Sequence, residues 1–348
     1  MDTSPYKYGF VSIQGVFVAL RTDVAKRAGV SLAVVSRVLN NSGYVAQAKR
    51  DRVLKAIQEL KYHPNPVARS LKSSRTNQIL FYIRDLSNNY YMDVYKGMME
   101  YAGEAGFNVL ISGNFEARHI VKLMIDGVVF PFADPASLTD LKQIRVPMVA
   151  ASYNLQRIDV EHVVHVDLAE VVRLGLSHLR SLGHERIAFA SMYRDRSELR
   201  LDTYKDEMEG TTDLETIVFG PMSQDPFGEE PPQEVNYFEG GILAAKQYLA
   251  GDRKASAILC FNDATAMGLM SHLQQAGLRI PQDLSVVGVD DHFASAYTSP
   301  PLTTVSIHPV LHGRECVKAL IELIEGKEST ALKQIPVELV VRKTTAMR

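Results

Sequence analysis

Two groups of residues in this sequence have types and spacings that could do chemistry. Residues 23–39 read DVAKRAGVSLAVVSRVL, the layout of a helix, a glycine turn and a second helix. Val24 and Ala28 stand four apart on one helical face, and Val35, Val38 and Leu39 repeat at helical spacing after the turn. Gly29 falls where the first helix must end in a positive φ. Ser31 then offers a hydroxyl cap to the second helix. The face left over carries Ser31, Leu32, Ala33, Ser36 and Arg37, which are small, polar or cationic apart from one leucine. Their chemistry is contact with base edges in a major groove, against the plainer alternative of a helical hairpin. The second group is polar and sits at strand ends: Asp167 after 163–166, Asn262 and Asp263 after 256–261, and Asp290 after 284–289. Charged groups gathered there on one cleft make bidentate hydrogen bonds to vicinal hydroxyls. For Asp263 a capping role on the next helix is an equal alternative.

Elements must hold these residues in place. A third helix over 48–60, with Val53, Ile57 and Leu60 on one stripe, would complete a small three-helix core. The segment 62–77, YHPNPVARSLKSSRTN, offers Asn65 as a cap and Pro66 at a first helical position. Only one or two turns follow, too few to be helical alone, and a simple linker is the alternative. From Asn77 onward short apolar strands alternate with helical patterns. The strands fall at 78–84, 107–112, 127–131, 146–151, 186–191, 215–219, 256–261 and 284–289, with helices such as 92–105, 168–182, 239–250 and 264–276 between them. Near-continuous apolar strands between amphipathic helices imply parallel sheets covered on both faces. So many units exceed one sheet, and two doubly wound parallel-sheet subdomains are expected. The stretch 220–234 reads as a surface loop.

Composition limits the classes. The 348 residues carry a net charge of −2, which hides an asymmetry. Residues 21–76 hold 12 Lys/Arg against 3 Asp/Glu, while 77–348 hold 25 against 36. A basic head on an acidic body is the footprint of a nucleic-acid-binding module joined to something else. Cys260 and Cys316 have no paired spacing, so neither a disulfide framework nor a metal site is expected, and a reduced cytoplasmic compartment fits. No apolar run is long enough to span a bilayer. Residues 8–20, YGFVSIQGVFVAL, lack the basic flank and cleavage site of a signal peptide, so the lead-in 1–20 is expected to be poorly ordered. There is no P-loop and no G-x-G-x-x-G, and no nucleophile–base pair or metal-ligand spacing points to an enzyme.

Several motifs now fall into one order: DVAKRAGVS…VSRVLN at 23–40, YHPNPVARSL at 62–71, DLSNNYY at 85–91, LGHERIAF at 182–189, AILCFND at 257–263, GLRIPQDLSVVG at 277–288, GVDD at 288–291 and PPLTTV at 300–305. In that order they resemble the lactose/galactose repressor (LacI/GalR) family of bacterial transcription regulators over residues 20–345. The resemblance implies an N-terminal three-helix helix-turn-helix DNA-binding domain at 21–63, a hinge helix and linker at 64–76, and a two-lobed effector-binding and dimerisation body at 77–348. That body is similar to periplasmic sugar-binding proteins, with three crossovers between lobes.

The resemblance also assigns roles. Leu32 and Ala33 stand where family members choose bases, and Arg37 matches an arginine of the recognition helix. Leu and Ala can pack on thymine methyl groups but cannot donate to base edges. Val34 replaces a usual threonine. Leu20 replaces the usual cap of the first helix, with Thr22 as the substitute cap and a further DNA contact. Asn65, Val67, Ala68 and Leu71 correspond to the hinge helix, with Leu71 as a minor-groove wedge. Tyr90 and Tyr91 occupy the aromatic positions after the first body strand, to stack on a ligand ring or to pack in the core. Arg200, in SELRLDTY, matches the family's S-x-x-R. With Asp167, Asn262 and Asp290 these form the expected effector site. The aromatic contact that the family places before the helix near 241 has no clear register in VNYFEGG. The implied function is a homodimeric repressor on a pseudo-palindromic operator, controlled by a sugar-like effector and using no cofactor. Control by a protein partner, or sugar binding without gene regulation, are the alternatives.

Overall fold

The computed structural model describes residues 11–13, 16–63, 75–83, 88–113, 124–131, 146–152, 160–192, 198–210, 216–218, 236–252 and 255–348. The chain divides into two units, residues 1–76 and 77–348.

In the first unit, strands β1 (Val11–Ile13) and β2 (Val16–Val18) pair antiparallel, Val11 opposite Val18. Both are short β-branched runs suited to pairing, and they lie within the 1–20 lead-in. Three helices follow: α1 (Arg21–Ala28), α2 (Leu32–Leu39) and α3 (Gln47–Glu59). Val24, Ala28, Val35, Val38, Val53, Ala56 and Tyr62 bury one shared core. Ile57 and Leu60 are only partly buried against it, because the α3 stripe centres on Val53 and Ala56.

The second unit holds two six-stranded sheets. One has the order β13-β7-β6-β5-β3-β4, from β3 (Gln78–Tyr82), β4 (Asn108–Ser112), β5 (Gly127–Phe130), β6 (Met148–Ser152), β7 (Val163–Val166) and β13 (Leu332–Ile335), all parallel. The other has the order β14-β12-β11-β10-β8-β9, from β8 (Ile187–Ser191), β9 (Thr216–Val218), β10 (Ala257–Cys260), β11 (Ser285–Asp290), β12 (Thr303–Ser306) and β14 (Glu338–Val340). Only β14 runs antiparallel to its neighbour. Among the described residues, six α-helices cover these sheets: α4 (Asn89–Glu104), α5 (Leu168–Ser181), α6 (Leu199–Glu207), α7 (Tyr237–Ala250), α8 (Asp263–Gln275) and α9 (Pro309–Ile324). The strands and helices expected from the sequence appear within one to three residues of their places.

The chain passes between the sheets three times: from β7 to α5 at Asp167, from β12 to α9 at His308, and from β13 to β14. His308 sits there with φ +46°. Each lobe also contains one helix pair in backbone contact. A Cβ on Gly97 of α4 would lie 1.9 Å from the Val310 carbonyl of α9, and one on Gly313 of α9 would lie 1.9 Å from the Val94 carbonyl of α4. In the other lobe Gly241 of α7 and Gly268 of α8 stand in the same reciprocal relation to Thr265 and Phe238. Only glycine allows such an approach. Away from these pairs, the His184 of LGHERI is structural: its ring bonds Ser256, Ser285 and the Ala346 carbonyl, tying down the last residues.

Candidate nucleic-acid interface and ligand cleft

Gly29 ends α1 with φ +62°, and the Val30 N–H returns to the Ala25 carbonyl at 3.1 Å. This αL turn sets α2 across α1. At the start of α1 the sequence reading needs correction. Leu20 is the N-cap residue, and its N–H donates to Asp23 Oδ2 at 2.8 Å, while Thr22 lies inside the first turn and is exposed. The helix start is thus held by an acid in the first turn, not by a threonine hydroxyl. Ser31 occupies the N-cap position of α2, as expected, but its hydroxyl makes no cap bond and is exposed.

The two faces of α2 separate cleanly. Val35 and Val38 are buried, whereas Leu32, Ala33 and Arg37 are exposed and Ser36 is half-buried, in reach of Asn40. Leu32 is 48 % exposed, which removes core packing as its reason for being there. Val34 is partly buried against the core. Tyr44, 88 % exposed just beyond α2, was not singled out in the sequence because an isolated aromatic after a turn carries no spacing signal. Asn65, Val67, Ala68 and Leu71 lie outside the described residues.

In the second unit three helices begin at one cleft. Asn88, Asn236 and Asn262 cap α4, α7 and α8. Their Oδ1 atoms accept the N–H groups of Tyr90 (3.0 Å), Phe238 (3.0 Å) and Thr265 (2.9 Å). Each amide therefore turns an acceptor inward to its helix and keeps its NH₂ as a donor. The cleft is lined by these three asparagines with Asn89, Tyr90, Tyr237, Phe238, Asp263, Ala264, Met267, Asp290 and His292. Tyr237 stacks on Phe261 at 5.9 Å, and the guanidinium of Arg200 lies 3.4 Å from the centre of the same ring.

Two carboxylates sit at the base. Asp263 is buried and accepts three bonds: from the His292 N–H (2.9 Å), Ser295 Oγ (2.5 Å) and Thr304 Oγ1 (2.6 Å). It neither caps α8, a task that falls to Asn262, nor reaches freely into the cleft. Burial raises its pKa against those three bonds. Asp290 ends β11 with φ +114°, a backbone state that side-chain-bearing residues rarely adopt. Burial and the charge of Asp263 push its carboxyl well above the usual range, with Arg200 opposing.

Of the six residues expected in the effector site, Tyr90, Asn262 and Asp290 line the described cleft. The other three do not, for distinct reasons. Tyr91 is buried edge-on to Tyr90, with ring centres 5.5 Å apart, and packs in the core. Asp167 caps α5, accepting from Ala169 (2.9 Å) and Glu170 (3.1 Å) at the first crossover. Arg200 stands behind the wall, its Nε bound to Glu198 at 2.8 Å and its Nη1 to the Phe261 carbonyl at 3.0 Å. Of VNYFEGG, which has no clear register in the sequence, Asn236, Tyr237 and Phe238 line the cleft. Asn236 as a helix cap was the signal that could have placed them.

Residues 22–65 match the family described as bacterial regulatory proteins of the lacI family, and residues 176–345 match a periplasmic binding protein-like domain. Among similar proteins, the HTH-type transcriptional repressor PurR of Vibrio vulnificus (strain CMCP6) is 31% identical over 339 residues, 92% of this chain and 97% of the relative. PurR of Photobacterium profundum is also 31% identical, with the same coverage. Among solved structures, the lac repressor dimer bound to operator and the anti-inducer ONPF aligns with a TM-score of 0.79 and 26% identity, covering 94% of this chain and 99% of that one. Two-lobed body, helix-turn-helix head and near full-length relatives agree: the chain belongs to the lacI family of bacterial regulatory proteins.

Proposed function

We propose that this chain is a cytoplasmic, sequence-specific transcriptional repressor whose operator affinity is set by a small molecule in the cleft, a sugar or sugar derivative. The observation that carries the reading is the division of α2: Val35 and Val38 anchor the helix, and Leu32, Ala33 and Arg37 face outward on a basic unit. One such head reads a half-site, so the working form is a homodimer on a pseudo-palindrome. Leu71 and its dimer mate would wedge the minor groove at the centre, coupling grip to the arrangement of the bodies. Asn262 and Asp290 supply a donor and an acceptor for hydroxyls, and Tyr90 and Tyr237 supply flat faces. A ligand changes operator affinity only by binding one arrangement of the lobes better than the other.

The test has two arms. Binding sites selected from a random DNA pool with the full chain should be two-fold symmetric, and removing residues 1–76 should abolish that binding. A thermal-shift panel of sugars, sugar phosphates and nucleobases should yield a stabilising ligand that also alters operator affinity. Unchanged DNA binding by the truncated chain overturns the first arm. No shift across the panel favours a protein partner as the signal.

A further inference from the structure

Glu198 is absent from every role assigned above, yet it holds the most basic group near the cleft. It stands at the N-cap of α6, where Oε2 accepts the Leu201 N–H at 3.1 Å while Oε1 takes Arg200 Nε at 2.8 Å. The two side chains are only 14% and 13% exposed, so this is not a loose surface pair. Arg200 is further fixed by the Phe261 carbonyl and by the Phe261 ring against its face. Among the described residues, no Lys or Arg lines the cleft itself, whereas Asp263 and Asp290 do.

We infer that Glu198 determines ligand specificity: by engaging Arg200 it withholds the cation an anionic ligand would need, so the cleft takes uncharged or cationic, donor-rich ligands and refuses phosphorylated or carboxylated ones. This rests on the effector reading of the cleft. A buried anion is tolerated only with a partner, and here the guanidinium already has one. Three helix starts also face the cleft, and such ends attract anions. Two of them already carry a carboxylate in the first turn, Asp263 in α8 and Glu239 in α7. Among the described lining residues, a ligand phosphate would meet Asp290 with no Lys or Arg to offset it. A hydroxyl or ammonium would instead donate to Asp290 and accept from the asparagine amides.

The test is a set of matched ligand pairs on the full chain, read by thermal shift and equilibrium binding: glucose with glucose 6-phosphate, ribose with ribose 5-phosphate, galactose with galacturonate, and glucosamine as a cationic member. Wild-type protein should bind an uncharged or cationic member at least tenfold more tightly than its anionic counterpart. Glu198→Gln, whose single carbonyl oxygen cannot serve both Leu201 and Arg200, should narrow that ratio at least tenfold. Glu198→Ser, which keeps a hydroxyl for the helix cap, should do the same and covers the case where the glutamine variant fails to fold. An anionic member binding wild type as tightly as its neutral partner overturns the inference but leaves the effector cleft standing. An unchanged ratio in both variants overturns it too. If wild type binds no member of the set, the effector reading falls and takes the inference with it.

Discussion

The hydroxyl of Tyr90, at the start of α4, donates to Nδ1 of His312 in α9 across 2.6 Å. The direction follows from the other side of the ring. Nε2 lies 3.0 Å from the Val164 carbonyl, which can only accept, so Nε2 carries the proton and Nδ1 is the acceptor. Tyr90 thus meets the cleft as a ring whose hydroxyl is already engaged. Tyr90→Phe should cost about 1–2 kcal/mol in denaturant unfolding, because it removes the donor from a buried nitrogen. It should leave ligand affinity within about twofold, whereas Tyr90→Ala should lose affinity with the ring.

The same ring predicts a pH dependence. Burial lowers the His312 pKa from 6.5 to about 4, with the Val164 bond opposing and His165 adding to the shift. Between those values the unfolded chain binds the proton and the folded chain does not, so this contribution is complete above pH 6.5 and is lost as pH falls towards 4. The full loss is about 3 kcal/mol. Glutamine can make both bonds without titrating. Wild type should therefore lose stability relative to His312→Gln as pH drops through this window, and parallel curves for the two proteins would contradict it.

Asp290 combines a strained backbone with a buried charge. Asp290→Asn should raise the melting temperature, since an amide needs no counterion, while weakening ligand binding at least tenfold. Differential scanning calorimetry paired with ligand titration checks both signs at once. A variant that loses stability and keeps affinity would contradict it.

Two glycines of one helix should behave oppositely. Gly97→Ala forces a Cβ onto the Val310 carbonyl and should destabilise by about 3 kcal/mol or more, because backbone cannot yield as a side chain can. Gly103 has nothing within 4 Å of its would-be Cβ, so Gly103→Ala should stabilise by about 0.5–1 kcal/mol. Chemical denaturation of both variants separates crowding from helix propensity.

On α2, exposed Leu32 should matter to DNA and not to folding. Leu32→Ala should change stability by less than about 0.5 kcal/mol. Its affinity for a selected site should fall about tenfold, with discrimination relaxed at a thymine. Equal losses on all sequences would assign Leu32 to backbone contact instead.

How much of this was legible in the sequence depends on the range of the physics. Gly29, the α2 stripe and the apolar strands are local patterns, and the helices and sheets follow them closely. The polar residues at strand ends are legible for the same reason: β10 ends at Cys260, two residues before Asn262, and β11 ends at Asp290. What the sequence concealed depends on partners far along the chain. Asp167 and Asn262 look alike as polar residues before a helix, yet only one faces the cleft. Arg200 reads as a ligand-binding arginine until Glu198, two residues earlier, is seen to hold it. Tyr90 and Tyr91 differ by one position and are both buried, yet only Tyr90, bonded to His312 of α9, also lines the cleft. The start of α1 turned on Asp23, an acid three residues past the cap, in a place where a hydroxyl was sought.

The reciprocal glycine contacts limit what a bound molecule can change. Where backbone lies against backbone, at Gly97 with Val310 and at Gly241 with Thr265, no side chain is available to rearrange and take up a displacement. The helix starts that carry Asn88, Asn236 and Asn262 are therefore fixed to their own halves like teeth on two stiff jaws. Motion between the jaws has three thin connections through which to pass, and His308, held at an unusual backbone angle in one of them, is a point where a dihedral change would turn α9 and β13 relative to β12.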